Sequence, residues 1–446
     1  MSTLKTDKLY STDRSTGSDE NILLNDDGTT NLKGNTTVTG TCTATTFSGS
    51  GASLTNVPDS ALSTVTASKL SGALPAISGA NLTNLPTRDR PFRNLIINGS
   101  MNVHQRGTTL TDAAGGFVVD RFGVFPSGTD EAPTIAWHFL WDNGSDVGPW
   151  EEGHRGCLQV TNGNQTSKGG TDNCRIIYKV EAYDMANSGW DYTDSNSKIT
   201  LSFWVKSSVA QNFYGQVRTP DGTVQSYPFE TGSLTADTWT KITKTIPGNS
   251  NITIDHDTGS GLEISFWMYT GTDQTDNSVT LNQWAAYSGS TRTPDATSTW
   301  WDTNDCDLET TGWQLEVGDT ATKFEFRPFG TELALCQRYY CHTYPYGTYA
   351  TTNTHNGSIN GDCHGSINYA SPGWFKFPVS MRGTPDCKVY SPHSGTEGKV
   401  AADGTDGNGA VAYAATTGCF PYRNNDNSGV TANAFIKAHV TADAEI

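Results

Sequence analysis

The side chains of this 446-residue chain best suited to chemistry are aromatic. Trp141, Trp150, Trp284, Trp300 and Trp301 lie in polar, loop-like contexts, as do Tyr344, Tyr346, Tyr349 and Trp374. An aromatic face packs against the apolar C–H face of a sugar ring, while Asn, Asp and Gln exchange hydrogen bonds with its hydroxyls. As a group these residues point to a saccharide-binding surface, although packing within its own domain is the commoner fate of any single one. Trp137, Trp239, Trp267 and Trp313 fall in strand patterns and read as structural. Asp302, Asn304, Asp305 and Asp307 form a cluster of oxygen ligands that would suit calcium. It lacks the Gly and distal Glu of the helix-loop-helix calcium signature, and a polar loop before the strand at Trp313 is the competing reading. His154 with Cys157, Cys341 with His342, and Cys363 with His364 are local pairs, not the two ligand pairs of structural zinc. No G-x-S-x-G elbow, H-E-x-x-H, P-loop or strand-borne G-x-G-x-x-G occurs. Glycosidase carboxylates must face each other across ~5–9.5 Å, which spacing in a β fold does not reveal. The chain therefore reads as a binding protein rather than an enzyme, with no cofactor beyond calcium.

Composition narrows the class further. Asp and Glu number 46 against 29 Lys and Arg, a net charge of −17, which opposes binding to a phosphate backbone. Aromatics reach 10% with 12 Trp, which opposes general disorder. The opening Met1–Tyr10 is polar and has no apolar signal core, and no run approaches the ~18 apolar residues of a membrane span. The nine Cys are odd in number and dispersed, so they are expected to be reduced thiols of a protein made in a cytoplasm. Asn-x-Ser/Thr triplets, from Asn35 to Asn356, read as chance in an Asn/Ser/Thr-rich chain.

The elements that must position these residues fall into four segments: 1–40, 41–92, 93–330 and 331–446. The first is polar and turn-rich, suited to ordering on a larger partner. The second contains a repeat, in which Gly51-Ala-Ser-Leu-Thr-Asn-Val-Pro58 returns as Gly79-Ala-Asn-Leu-Thr-Asn-Leu-Pro86. Its leucines follow neither helical nor strand spacing, and Pro58, Pro75 and Pro86 oppose long helices and central strands. One such chain buries too little to offset ~1–2 kcal/mol per residue of backbone entropy, whereas several wound together could hide the leucines; a flexible linker is the competing reading.

From Arg93 the texture becomes that of short alternating strands. Ile199, Leu201, Phe203 and Val205 share one face, as do Leu262, Ile264, Phe266 and Met268. Shorter alternations occur at Ile135, Trp137 and Phe139, at Trp313, Leu315 and Val317, and at Phe324 with Phe326. Separated by Gly/Asn/Asp/Ser clusters, they predict a jelly-roll-like β-sandwich. Glu332–Tyr340 reads as a short connecting helix. A smaller β domain follows, whose best strand alternates Phe375, Phe377, Val379 and Met381.

Several blocks resemble those of a known family. Arg93-Asn-Leu-Ile-Ile-Asn-Gly-Ser-Met-Asn102 with Gln105-Arg-Gly107 resembles the opening of a domain common in tail-fibre and related virion proteins of tailed bacteriophages. Gly312–Glu325 is similar to the same domain's closing strands, Glu332–Tyr340 to the segment that follows it, and Phe377-Pro-Val-Ser-Met-Arg382 with Pro385 to the family's C-terminal domain. The Gly-Ala-Asn-Leu-Thr-Asn-Leu-Pro repeats resemble its shafts, and the central domain resembles carbohydrate-binding β-sandwiches. The resemblance implies an all-β homotrimeric fibre, attached by its N-terminus to other tail or virion proteins, with binding domains outermost. Its partner would be a host surface polysaccharide or lipopolysaccharide, with no nucleic acid and no membrane insertion. The rival readings are a purely structural virion or capsid-decorating fibre and a polysaccharide depolymerase.

Overall fold

The computed structural model describes residues 8–10, 20–24, 30–32, 37–41, 43, 45, 92–111, 114–142, 144, 147–362, 369–424 and 434–446. The expected shaft, 41–92, lies almost wholly outside the described residues, as do Cys42 and the Cys363–His364 pair. The chain divides into two compact units, Met1–Asn81 and Leu82–Ile446.

In the first unit, Lys8–Tyr10, Glu20–Leu24 and Thr30–Leu32 form a three-stranded antiparallel sheet with Glu20–Leu24 in the middle. These strands were not foreseen in so polar a segment. The local signal is Ile22-Leu-Leu24 followed by Asp27-Gly28, a β-forming run before a hairpin dipeptide.

Two antiparallel sheets build the sandwich of the second unit. The six-stranded sheet runs in space Thr240–Pro247, Lys198–Ser207, Asp307–Val317, Gly156–Thr161, Thr134–Phe139 and Thr109–Leu110. The seven-stranded sheet runs Ala285–Ala286, Gln225–Ser233, Asn212–Thr219, Ser260–Thr270, Asn173–Glu181, Gly123–Ser127 and Gly116–Phe117. Both foreseen apolar faces meet in the core, where Ile199, Leu201, Phe203, Val205, Leu262, Ile264, Phe266 and Met268 are buried. Phe203 stacks on Trp313 at 4.1 Å and 8°, and Phe266 meets both edge-on, which ties the two sheets together. Phe324 and Phe326, predicted as a strand, are irregular chain instead. Their rings pack on His154 at 4.6 and 5.1 Å, Phe324 half-buried and Phe326 exposed.

The opening and closing blocks of the sandwich meet in space. Asn94 Nδ2 donates to the Trp313 carbonyl (3.1 Å), while its Oδ1 accepts from the Leu315 and Ile96 N–H groups (both 3.0 Å). Glu325 accepts from the Asn94 N–H, and Glu332 from that of Asn98. A Cβ on Gly99 would lie 1.9 Å from the Trp313 oxygen, so only glycine fits there. Asn98, at φ 61°, spans the Val103 and Asp120 carbonyls with its amide.

The connecting helix runs Phe329–Gln337, a few residues earlier than predicted. Beyond it, Phe435–Asp443 is the hub of the C-terminal sheet, pairing with Tyr340–His342 and Asp386–Tyr390 over 439–443 and with Ile359–Asp362 and Lys399–Ala402 nearer its start. Lys399–Ala402 turns through Asp403 and Gly404, both at positive φ, into Thr405–Ala415, which pairs with Gly418–Asn424. The predicted strand through Phe375, Phe377, Val379 and Met381 shrinks to Phe375–Lys376. Pro378 has no N–H to extend it, yet Phe377 and Met381 remain buried, their N–H groups bound to the Thr417 and Thr416 carbonyls.

The C-terminal sheet is clamped to the sandwich by buried charges. Glu181 is almost wholly enclosed and accepts Nε and Nη2 of Arg338 at 2.7 and 2.8 Å and the Tyr339 hydroxyl at 2.5 Å. Arg121 reaches Glu445, and Arg106 lies near Asp120, Asp443 and Glu445. Burial pushes the Asp120 carboxyl up to about 6, against the pull of Arg106 and the hydrogen bonds from Gln105.

Candidate functional site

Thr134–Phe139 and Gly156–Thr161 pair so that Phe139 stands opposite Gly156, and the intervening loop carries Trp141 and Trp150. The Leu140 N–H donates to the Arg155 carbonyl (2.9 Å) and closes the loop's neck. Gly156 lets the strand pass Met101, since a Cβ there would lie 2.5 Å from the Met101 oxygen. The Phe139 ring lies 4.8 Å from Trp141 and 6.3 Å from Trp150. The Arg155 guanidinium sits 3.5 Å over the Trp150 ring and donates through Nη1 to the Trp150 and His154 carbonyls, which fixes that indole. Trp141 is 77% exposed and Phe139 41%. An indole that open has no packing reason to stand there, and with its neighbours it forms an aromatic ledge of the kind that marks interaction sites. His154, packed on Phe324 and Phe326, binds Ser100 at 2.8 Å and is pushed down to about 4 by burial.

A second aromatic group gathers where the sandwich meets the C-terminal sheet. His104 packs on Trp137 (4.4 Å), Tyr346 (5.6 Å) and Tyr349 (6.3 Å), and Phe329 meets Tyr346 edge-on. The Tyr346 hydroxyl donates to the Asn102 carbonyl at 3.0 Å, and that of Tyr349 pairs with His104 Nδ1 at 3.1 Å. Trp374 is half exposed and stands apart, against Gly418.

The remaining sequence-selected aromatics are enclosed, which corrects their reading as surface residues. Trp300 and Trp301 are buried where the short helix Thr299–Asp302 tucks them into the core; Trp301 packs on Tyr269 and donates to the Ser167 carbonyl. Trp284 is buried with its Nε1 on the Pro247 carbonyl, and Tyr344 stacks on His439 at 3.7 Å. The four residues considered for calcium do not converge. Asp302 is held by Lys168 and Ser298, Asp307 accepts from Thr161, and Asn304 and Asp305 lie in an exposed turn. Among the described residues no three Asp, Glu, His or Cys side chains gather as a metal site.

A third feature escaped the sequence reading. On the outer face of the seven-stranded sheet, register aligns Tyr214, Trp267, Arg175 and Phe125 across four strands, and Arg218, Glu263 and Lys179 in a parallel row. Trp267, read as structural, belongs to this row and not to the core side of its strand. Arg218 binds Glu263 at 2.7 Å, and Lys179 approaches the same oxygen at 3.9 Å. The segment after this sheet's Ser260–Thr270 strand returns over the face, where Gln216 Nε2 donates to the Arg292 carbonyl (3.1 Å). The polar positions of the strands carried the signal, but only their pairing reveals that four basic residues share one surface.

No protein-family model matches this sequence, and no curated protein does. Solved structures do. The N-terminal cellulose-binding domain of Cellulomonas fimi β-1,4-glucanase C is 12% identical, with 49% of this chain and 99% of that one covered at a TM-score of 0.23. A family 11 carbohydrate-binding module of Clostridium thermocellum, in complex with a β-1,3-1,4-mixed-linked tetrasaccharide, is also 12% identical, over 47% and 94% at 0.20. The K1 cleaved adhesin domain of Porphyromonas gingivalis Lys-gingipain is 11% identical, over 48% and 100% at 0.19. Likeness this slight says nothing of what this chain binds. Among the described residues no helix is long and apolar enough to cross a membrane.

Proposed function

We propose that this chain is a homotrimeric fibre protein of a tailed-phage virion that recognises host surface glycans and performs no catalysis. The observation that carries the glycan reading is the Phe139–Trp141–Trp150 ledge, in which one indole is open and its neighbour is pinned by Arg155. Sugar rings lie against such faces through their axial C–H groups, while nearby Asn and Asp side chains meet the hydroxyls. The fibre reading is supported by the order of family-like blocks from Gly51 to Pro385 and by the two meeting points, Asn94 and Gly99 against Trp313, that give the first and last of the sandwich blocks a structural purpose. Three copies per fibre, and several fibres per particle, would raise weak single-site affinity by ~10²–10⁴ through avidity. Residues 1–40 would attach to the virion and the domains beyond Arg93 would face the host. Two measurements test this together: light scattering, expected at close to three chain masses, and imaging of particles with this chain labelled, expected at fibres. A monodisperse monomer, or a label confined to the particle interior, would overturn it.

A further inference from the structure

We infer that the outer face of the seven-stranded sheet is an anion subsite, at which the guanidinium groups of Arg175, Arg218 and Arg292 take the carboxylate or phosphate oxygens of an acidic saccharide. Four cations, these three with Lys179, face the single carboxylate of Glu263, in a chain whose net charge is −17. Glu230 and Asp295 lie towards the Tyr214 end and are already engaged, Glu230 by Asn212 and Asp295 by Thr275 and Asn277. Those partners are neutral, so both carboxylates keep their charge, but Glu263 is the carboxylate that reaches the cations of the row directly. Arg175 is accordingly shifted down, by burial first and then by repulsion from Arg292 and Arg218, with Glu263 opposing. A guanidinium keeps its proton, so a bound counter-anion would relieve this repulsion.

The donors point the same way. Nε of Arg175, of Arg218 and of Arg292 are buried and have no hydrogen-bond partner among the described residues, nor does Nε1 of Trp267, whose side chain is enclosed. Buried donors are nearly always paired, and three unpaired guanidinium nitrogens on one sheet face suit an anion. Guanidinium forks match the two oxygens of a carboxylate or phosphate. Tyr287, 5.0 Å from the Arg218 guanidinium, and Tyr214 add aromatic faces that suit the ring bearing the charge. A carboxylate and a phosphate share this chemistry, and the sheet face accepts either.

The inference rests on the glycan reading above, and the test separates the two. The full chain is offered matched pairs of saccharides, each acidic member (a hexuronate, a sialate or a sugar phosphate) beside its neutral counterpart. At least one acidic member should bind about tenfold or more tightly than its partner, and raising the salt should shrink the difference. The carboxylate and phosphate arms show which oxygen acid is preferred. Arg175→Gln and Arg292→Gln should each abolish the preference while the melting temperature and binding of neutral saccharides through Trp141 stay unchanged. If either variant fails to fold, Lys179→Gln at the half-buried rim should still reduce the preference severalfold. Neutral and acidic members bound equally would overturn the anion subsite and leave the ledge reading intact. No saccharide bound by the folded chain would overturn both.

Discussion

Acid should destabilise this protein chiefly through two buried histidines. His154, packed on Phe324 and bound to Ser100, and His439, stacked on Tyr344 with its Nδ1 on Thr343 and Nε2 on the Thr354 carbonyl, are both fully enclosed. Burial holds each at about 4, below the ordinary 6.5. The folded state therefore prefers the neutral ring. Its stabilising contribution is complete above pH 6.5 and is lost as the pH falls towards 4. A separation of about 2.5 pH units at ~1.36 kcal/mol each is up to ~3 kcal/mol per histidine. Asp120 acts in the opposite sense. Its folded value of about 6 exceeds the ordinary 3.8, so its contribution is greatest below 3.8 and is lost as the pH rises through 6, again ~3 kcal/mol. Between pH 7.5 and 4.5 the histidines outweigh the aspartate, and a net loss of ~2–3 kcal/mol is expected. Urea unfolding followed by tryptophan fluorescence at constant ionic strength would read it. The combined His154→Gln and His439→Gln variant should lose this slope or reverse it. Wild-type stability that is flat or rising on acidification, or a double variant that keeps the full slope, would refute the reasoning.

Other consequences are more local. Glu181→Ala strips Arg338 and Tyr339 of their shared partner and should cost about 3 kcal/mol, with proteolysis near residue 330 releasing the C-terminal region faster. Asn94→Ala leaves the Trp313 carbonyl and the Leu315 N–H without their side-chain partner and should cost ~2–4 kcal/mol by chemical denaturation, more than a typical surface change. Reductant should leave the melting temperature nearly unchanged, because the seven described cysteines are all free thiols and a native disulfide would contribute ~2–4 kcal/mol; thiol titration of the unfolded chain should find all nine.

The sandwich was legible in its sequence because its central strands alternate over a long stretch. Ile199 to Val205 and Leu262 to Met268 can bury one side only as strands, and they do. Where apolar contacts form without a ladder the same pattern misleads: Phe324 and Phe326 pack on His154 from irregular chain, and Phe377 and Met381 reach the core from either side of Pro378. Trp300 and Trp301 look exposed among Ser298, Thr299 and Asp302, but one helical turn hides both indoles and leaves its polar residues outside. Of the nine aromatics selected for ligand contact, Trp141 and Trp150 share the ledge, while its third ring, Phe139, was read only as part of a strand. The arginine face could not be read at all. Arg175, Arg218 and Arg292 are distant in the chain and meet only through strand pairing and a returning loop.

Glycan recognition by this sandwich rests on its aromatic ledge. It is tested most directly on a microarray of bacterial surface polysaccharides, with the full chain compared with its Trp141→Ala, Phe139→Ala variant. Because both rings are largely outside the core, the variant should keep the parent's melting temperature. The parent should be retained on a subset of polysaccharides, and the variant's binding to the same spots should fall about tenfold or more. Retention of the variant at parental strength, or of neither protein on any spot, would contradict it.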